Sequence, residues 1–151
     1  MRGRKKIANE ILLREAEALL REGKRVKLRA RGESMRPFIR GGEDTLVVSA
    51  PTGELRKDDI VLARDAGGEY VAHRIVEING CRVTLMGDGN LYGREECRRE
   101  DVLGVVSSII REDRESSMTT WRIRMLARGW RMMLPIRRIR HKIKLLIAKK
   151  R

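Results

Sequence analysis

The spacing of hydrophobic positions changes along the chain, and the changes divide it into segments. Between Ile7 and Glu22 the apolar residues Ile7, Ile11, Leu12, Ala16, Leu19 and Leu20 recur at helical spacing and Gly23 follows as a stop, which predicts an amphipathic helix. From Arg25 the period falls to two: Val26-Lys27-Leu28-Arg29-Ala30 alternates as a half-buried strand does. Further strands are predicted at Thr45–Ser49, Ile60–Arg64, Glu69–Ile78, Cys81–Met86 and Val102–Arg111, which makes six in all. Turn residues separate them, among them Pro51 and Gly53, Gly67-Gly68, and the two-residue hairpin signal Asn79-Gly80. Short strands joined in this way predict a mainly β fold built on a coiled, mostly antiparallel sheet. After Thr119 the pattern turns helical again. Ile136, Ile139, Ile143, Leu146 and Ile147 form one stripe, Arg137, Arg138, Arg140, Lys142 and Lys144 lie largely off it, and Pro135 is expected to kink or split the helix. The expected organisation is an N-terminal amphipathic helix at 1–24, a β domain at 25–114 and a basic helix at 115–151.

Charge sharpens that division. The chain carries a formal net charge of +14, yet 12 of its 35 Lys and Arg fall at 119–151, where there is no Asp or Glu. Residues 1–118 therefore hold 23 basic against 21 acidic side chains, so the body is nearly neutral and the tail is a polycation. No run approaches the roughly 20 apolar residues of a membrane span. The basic start Met1–Lys6 leads into an apolar stretch broken by Glu10, Arg14, Glu15 and Glu17, unlike the middle of a signal peptide. The only cysteines are Cys81 and Cys97, read as reduced thiols. The only histidines are His73 and His141, so no metal-ligand spacing occurs and neither metal nor cofactor is expected.

Three short segments carry candidate chemistry. Gly32-Glu33-Ser34-Met35-Arg36-Pro37 follows a predicted strand, where Gly32 permits a sharp turn and Pro37 stops the strand, leaving Ser34 at a cleft. Gly32, Met35 and Pro37 are the positions expected to face a substrate. His73 shares a strand face with Val71 and Ile75, and Gly87-Asp88-Gly89-Asn90 ends the following strand. If Asn79-Gly80 is the hairpin loop, His73 sits opposite Met86 and Asp88 is its diagonal neighbour on the same face. A carboxylate there would hold the imidazole in the tautomer a general base needs. A serine hydroxyl is a poor nucleophile until such a base takes its proton. The Ser34 N–H is the expected donor to the resulting oxyanion.

In order along the chain, Ser34-Met35-Arg36-Pro37, Asp58-Asp59-Ile60-Val61-Leu62, His73-Arg74-Ile75-Val76 and Gly87-Asp88-Gly89-Asn90 resemble the boxes of signal peptidase I. The resemblance covers roughly residues 25 to 111 and is closest to the endoplasmic-reticulum and archaeal branch, in which histidine serves as the base; LexA-type repressors share the fold and a similar nucleophile turn. It implies a serine endopeptidase acting on a peptide or precursor protein bound as an extended strand, with small side chains before the cut. The sequence departs from the pattern in lacking the usual membrane span. Asp58 stands where a glycine usually precedes Asp59-Ile60-Val61, and Gly32 stands where some relatives have a serine. The family's second acid, several residues after the Gly-Asp-Gly-Asn loop, leaves Glu95, Glu96 and Asp101 as alternatives to Asp88 for orienting His73.

For the basic tail, a membrane-surface helix is favoured over a solvated helix packed on the body and over nucleic-acid binding, because an apolar stripe, flanking cations and Trp121 and Trp130 coincide. The expected partner is an anionic membrane surface, with peripheral attachment on the cytoplasmic side. Two alternatives to a peptidase acting on other proteins are a catalytically weak peptide-binding module of the same fold and a LexA-like self-cleaving regulator. Against the latter, no DNA-binding helical segment precedes the fold, and the only Ala-Gly pair, Ala66-Gly67, lies after Ser34.

Overall fold

The structure, a computed structural model, describes residues 2–149, with residues 2–9 described by backbone alone. The side chain of Ile7, expected on the first helical stripe, and those of the basic start lie outside the described ones. Helix α1 (Arg2–Arg21) leads into strands β1 (Val26–Arg29), β2 (Thr45–Ser49), β3 (Ile60–Arg64), β4 (Tyr70–Asn79), β5 (Arg82–Met86), β6 (Glu95–Arg98), β7 (Val102–Arg111) and β8 (Arg114–Ser117), then helices α2 (Trp121–Met132) and α3 (Leu134–Lys149). The strands form one antiparallel sheet in the order β1-β2-β7-β3-β4-β5-β6, with β8 paired to β7.

Strand β7 organises the sheet. Its first half pairs with β3 and its second half with β2, so the sheet coils about it and encloses two cores. One core lies under α1, where Ala16 and Leu20 meet Leu28, Leu46, Val48 and Leu62. A Cβ at Gly104 of β7 would lie 2.6 Å from Val48 and 3.3 Å from Leu20, so the bare backbone there permits the close approach of helix and sheet. The second core gathers Val61, Ile75, Val83 and Leu85 with Cys97, whose thiol burial pushes up to about 11.

Two strands depart from the periodicity reading. Strands β6 (Glu-Glu-Cys-Arg) and β8 (Arg-Glu-Ser-Ser) are short and polar, and they lie at the margins of the sheet, where one-sided pairing demands no apolar alternation. The basic C-terminal segment divides at Met133 into α2 and α3, and Pro135 lies in the first turn of α3, where its missing N–H costs nothing.

The hairpin register also differs. The loop residues are Gly80-Cys81, flanked by the pair Asn79↔Arg82, and Gly80 at φ +59° occupies the first loop position, where type II′ turns favour glycine. A bulge between Ile75 and Glu77 shifts the pairing once more, so Arg74, not His73, lies opposite Met86.

Candidate active site

Ser34 sits on the turn that follows β1. The turn is tied at its base by Ala30 N–H to the Asp44 carbonyl and Gly42 N–H to the Ala30 carbonyl, both 2.9 Å, and Met35 and Ile39 bury beneath it in the first core. Burial pushes the Asp44 carboxyl up, but the Arg111 guanidinium and the Arg40 N–H bonded to it outweigh that and hold it below the usual carboxylate range. Gly32 takes φ +71°, and Gly41 packs against its backbone so closely that no Cβ fits at Gly41. Of the residues expected to face a substrate, Gly32 and Pro37 are exposed, but Met35 is a core residue. That corrects the expectation for Met35: turn geometry points its side chain inward, where it anchors the turn.

His73, on β4, is 7% exposed. Its Nε2 lies 2.9 Å from Ser34 Oγ and its Nδ1 lies 2.8 Å from Glu95 Oε2. A carboxylate only accepts, so Nδ1 carries the ring proton and Nε2 is left to accept from the Ser34 hydroxyl. Glu95 opens β6 opposite Leu85. The other acids weighed lie elsewhere: Glu96 is exposed near Arg82, and Asp101 accepts from the Arg98 N–H. Among the described residues no His/Cys/Asp/Glu group has metal-binding geometry.

Asp88 does not meet His73. Its two carboxylate oxygens take the Nε and Nη2 of Arg74, each at 2.8 Å. The diagonal-neighbour rule holds, but in the observed register the residue it selects is Arg74, because β4 is shifted by one position opposite Met86. Arg74 is 1% exposed, and it also donates from Nη1 to the Asp58 carbonyl at 2.7 Å. The loop that carries Asp88 is pressed against the nucleophile turn. Gly89 N–H donates to the Ser34 carbonyl at 2.7 Å, and a Cβ at Gly87 would collide with that carbonyl and lie 3.0 Å from the Ser34 Cβ. Both glycines are therefore required for close backbone approach.

The periodicity reading did not foresee the contact between the C-terminal helices and this loop. Trp130 Nε1 and Arg137 Nη2 donate to the Asp88 carbonyl at 2.7 and 3.1 Å, and Arg138 Nε donates to the Leu91 carbonyl at 2.8 Å. On α2, Arg128 and Arg131 both reach the Asp58 carboxylate, and Arg124 reaches Asp59. The spacing of Arg124, Arg128 and Arg131 puts all three on one helix face, which is the signal the sequence did hold. Asp58 is 1% exposed at φ +80°, a backbone that glycine adopts freely and an L side chain only at a cost of about 1 kcal/mol. Its carboxylate therefore offsets that cost by fastening α2 to the sheet.

Burial pushes the Asp58 carboxyl up, but hydrogen bonds and charge from Arg128 and Arg131 prevail and hold it below its ordinary value. We expect Asp58→Ala to lower stability by about 3 kcal/mol, the cost of leaving a pair of arginines without their buried partner. Asp58→Gly should lose about 1 kcal/mol less, because glycine relieves the backbone. Because the folded value is depressed, the Asp58 contribution is complete above pH 3.8 and fades as pH falls below it. Urea denaturation of both variants against pH checks this; equal losses in Ala and Gly would contradict the backbone argument.

A coiled antiparallel sheet presenting a serine, a histidine and a carboxylate in one hydrogen-bonded row is an arrangement suited to acyl transfer. Residues 5–109 match the model of the Peptidase S24-like family, and the chain belongs to that family of serine peptidases. The match spans α1 through most of β7, takes in Ser34, His73, Asp88 and Glu95, and stops before α2 and α3. No curated protein matches the chain.

Proposed function

We propose that the protein is a serine endopeptidase of signal-peptidase type in which Ser34 is the nucleophile, His73 the general base and Glu95 the group that orients His73. The observation that carries this reading is the continuous row Ser34 Oγ, His73 Nε2, His73 Nδ1, Glu95 Oε2, with gaps of 2.9 and 2.8 Å. As Ser34 Oγ attacks a peptide carbonyl, its proton passes to Nε2, and the imidazolium so formed is stabilised by Glu95. The proton then leaves with the amine, and water activated by the same histidine resolves the acyl-enzyme. The Ser34 N–H is free of protein acceptors among the described residues and is the candidate donor to the oxyanion.

An apolar groove is lined by Leu12 and Leu13 of α1, Leu28 and Ala30 ahead of the Ser34 turn, and Tyr70 and Ala72 of β4, next in sequence to His73. Strand β1 has one free edge, so an extended peptide paired with it would place alternate side chains in the groove. Asp88 and Arg74 belong to the support of the site: they hold the glycine loop that backs Ser34. The test is digestion of a peptide library by wild-type protein and by Ser34→Ala. The proposal expects cleavage products from wild type only. Equal products from both, or none from a folded wild type, would refute it, and fragments of the protein itself in place of library peptides would assign self-cleavage.

A further inference from the structure

Exposed apolar side chains concentrate in the C-terminal helices. Among the described residues, 14 large hydrophobic side chains are exposed, and 11 of them lie between Trp121 and Ile147. In α3 every residue from Ile139 to Lys149 is exposed, so this part of the helix buries no side chain against the body of the protein. A stretch this short is marginal as an isolated helix in water. Five of the six large apolar residues from Ile136 onward are nevertheless ordered: at 3.6 residues per turn, Ile136, Ile139, Ile143, Leu146 and Ile147 fall within an arc of about 100°, and Leu145 alone lies off it.

The direction of that arc identifies the partner. Leu134, Arg137 and Arg138 make the contacts of α3 with the sheet domain, and the centre of the apolar arc lies about 180° around the helix from them. A flat surface can therefore reach the stripe without meeting the body. Arg140 and Lys144 border the arc on one side, Lys142 and Lys149 on the other, and all are exposed. No acidic residue occurs from Thr119 onward, so two copies paired through this helix would bring like charge against like charge. Nucleic acid would satisfy the cations and leave the aliphatic stripe in water. An anionic lipid surface satisfies both.

We propose that α3 is a membrane-docking element that lays its isoleucine stripe on an anionic bilayer while its first turn stays bonded to the loop behind Ser34. The protein would thus work as a peripheral enzyme with its site held close to the lipid surface. This inference is independent of the catalytic reading, because its readout is binding.

The test is sedimentation of the full chain with vesicles of phosphatidylcholine alone, and with vesicles in which about a third of the lipid is phosphatidylglycerol. We expect binding at least about tenfold tighter to the anionic vesicles. The double variant Ile139→Glu/Ile143→Glu, and separately Lys142→Gln/Lys144→Gln, should each weaken it at least about tenfold. These positions are exposed, and unchanged circular dichroism together with an unchanged urea midpoint confirms the fold of the variants. No binding to anionic vesicles, equal binding to both kinds, or tighter binding to duplex DNA than to vesicles would overturn the proposal. So would a stable dimer in light scattering that Ile139→Glu/Ile143→Glu dissociates.

Discussion

Glu95→Gln should lower the rate of Ser34 acylation by about 10³- to 10⁴-fold while leaving the protein as stable as wild type to within about 1 kcal/mol. The amide keeps the size of the carboxylate but can donate to Nδ1, which reverses the tautomer and turns Nε2 into a donor unable to take the Ser34 proton. It also removes the charge that stabilises the imidazolium. Glu95 is only partly buried and lies at the start of a margin strand, so its loss leaves no large cavity and no unpaired buried charge. The rate constant for fluorophosphonate modification measures the effect without knowledge of the natural substrate. A decrease smaller than about tenfold would remove Glu95 from the mechanism.

Asp88→Asn should give the opposite profile. Arg74 is buried, and its side chain spans the Asp88 carboxylate, the Asp58 carbonyl and the face of Phe38, with the ring centroid 5.2 Å away. Neutralising Asp88 leaves that charge without its counter-ion, at an expected cost of about 3–5 kcal/mol. For a chain of this length that corresponds to a fall in Tm on the order of 10 °C. Activity should fall mainly with the folded fraction, because Asp88 hydrogen-bonds to neither Ser34 nor His73. The double variant Asp88→Ala/Arg74→Met should recover part of the loss, since removing both charges abolishes the desolvation penalty. A stable Asp88→Asn protein with its acylation rate lowered a thousandfold would instead put Asp88 in the relay.

The contrast between these acids shows how far the sequence could be read. The alternation of Val26–Ala30 and the runs at Ile60–Arg64 and Cys81–Met86 made the β fold legible, because one buried face imposes a period of two. Ser34 and His73 were legible as candidates from residue type, turn chemistry and order along the chain. The choice of acid was not, because it depended on register. A shift of the loop from Asn79-Gly80 to Gly80-Cys81, plus a bulge at Val76, exchanged Arg74 for His73 opposite Met86, and neither event has an apolar signature. Strand β6, which delivers Glu95, was too polar to announce itself. Asp58 was visible as a departure at a position where a glycine was expected, but its meaning required the arginines of α2, distant in sequence and adjacent in the fold.

These arginines also revise the picture of the basic tail. Arg124, Arg128, Arg131, Arg137 and Arg138 bond to the sheet domain, and Arg140, Lys142, Lys144 and Lys149 flank the outward stripe of α3. One run of charge thus serves two surfaces, an arrangement that a count of basic residues does not resolve.

The most direct measurement is site mapping of a fluorophosphonate adduct on the wild-type chain by mass spectrometry, repeated with His73→Ala. The account predicts one adduct per chain, on Ser34, whose formation collapses when the imidazole is removed. A folded wild type that stays unmodified, or a Ser34 that reacts equally fast without His73, would contradict it.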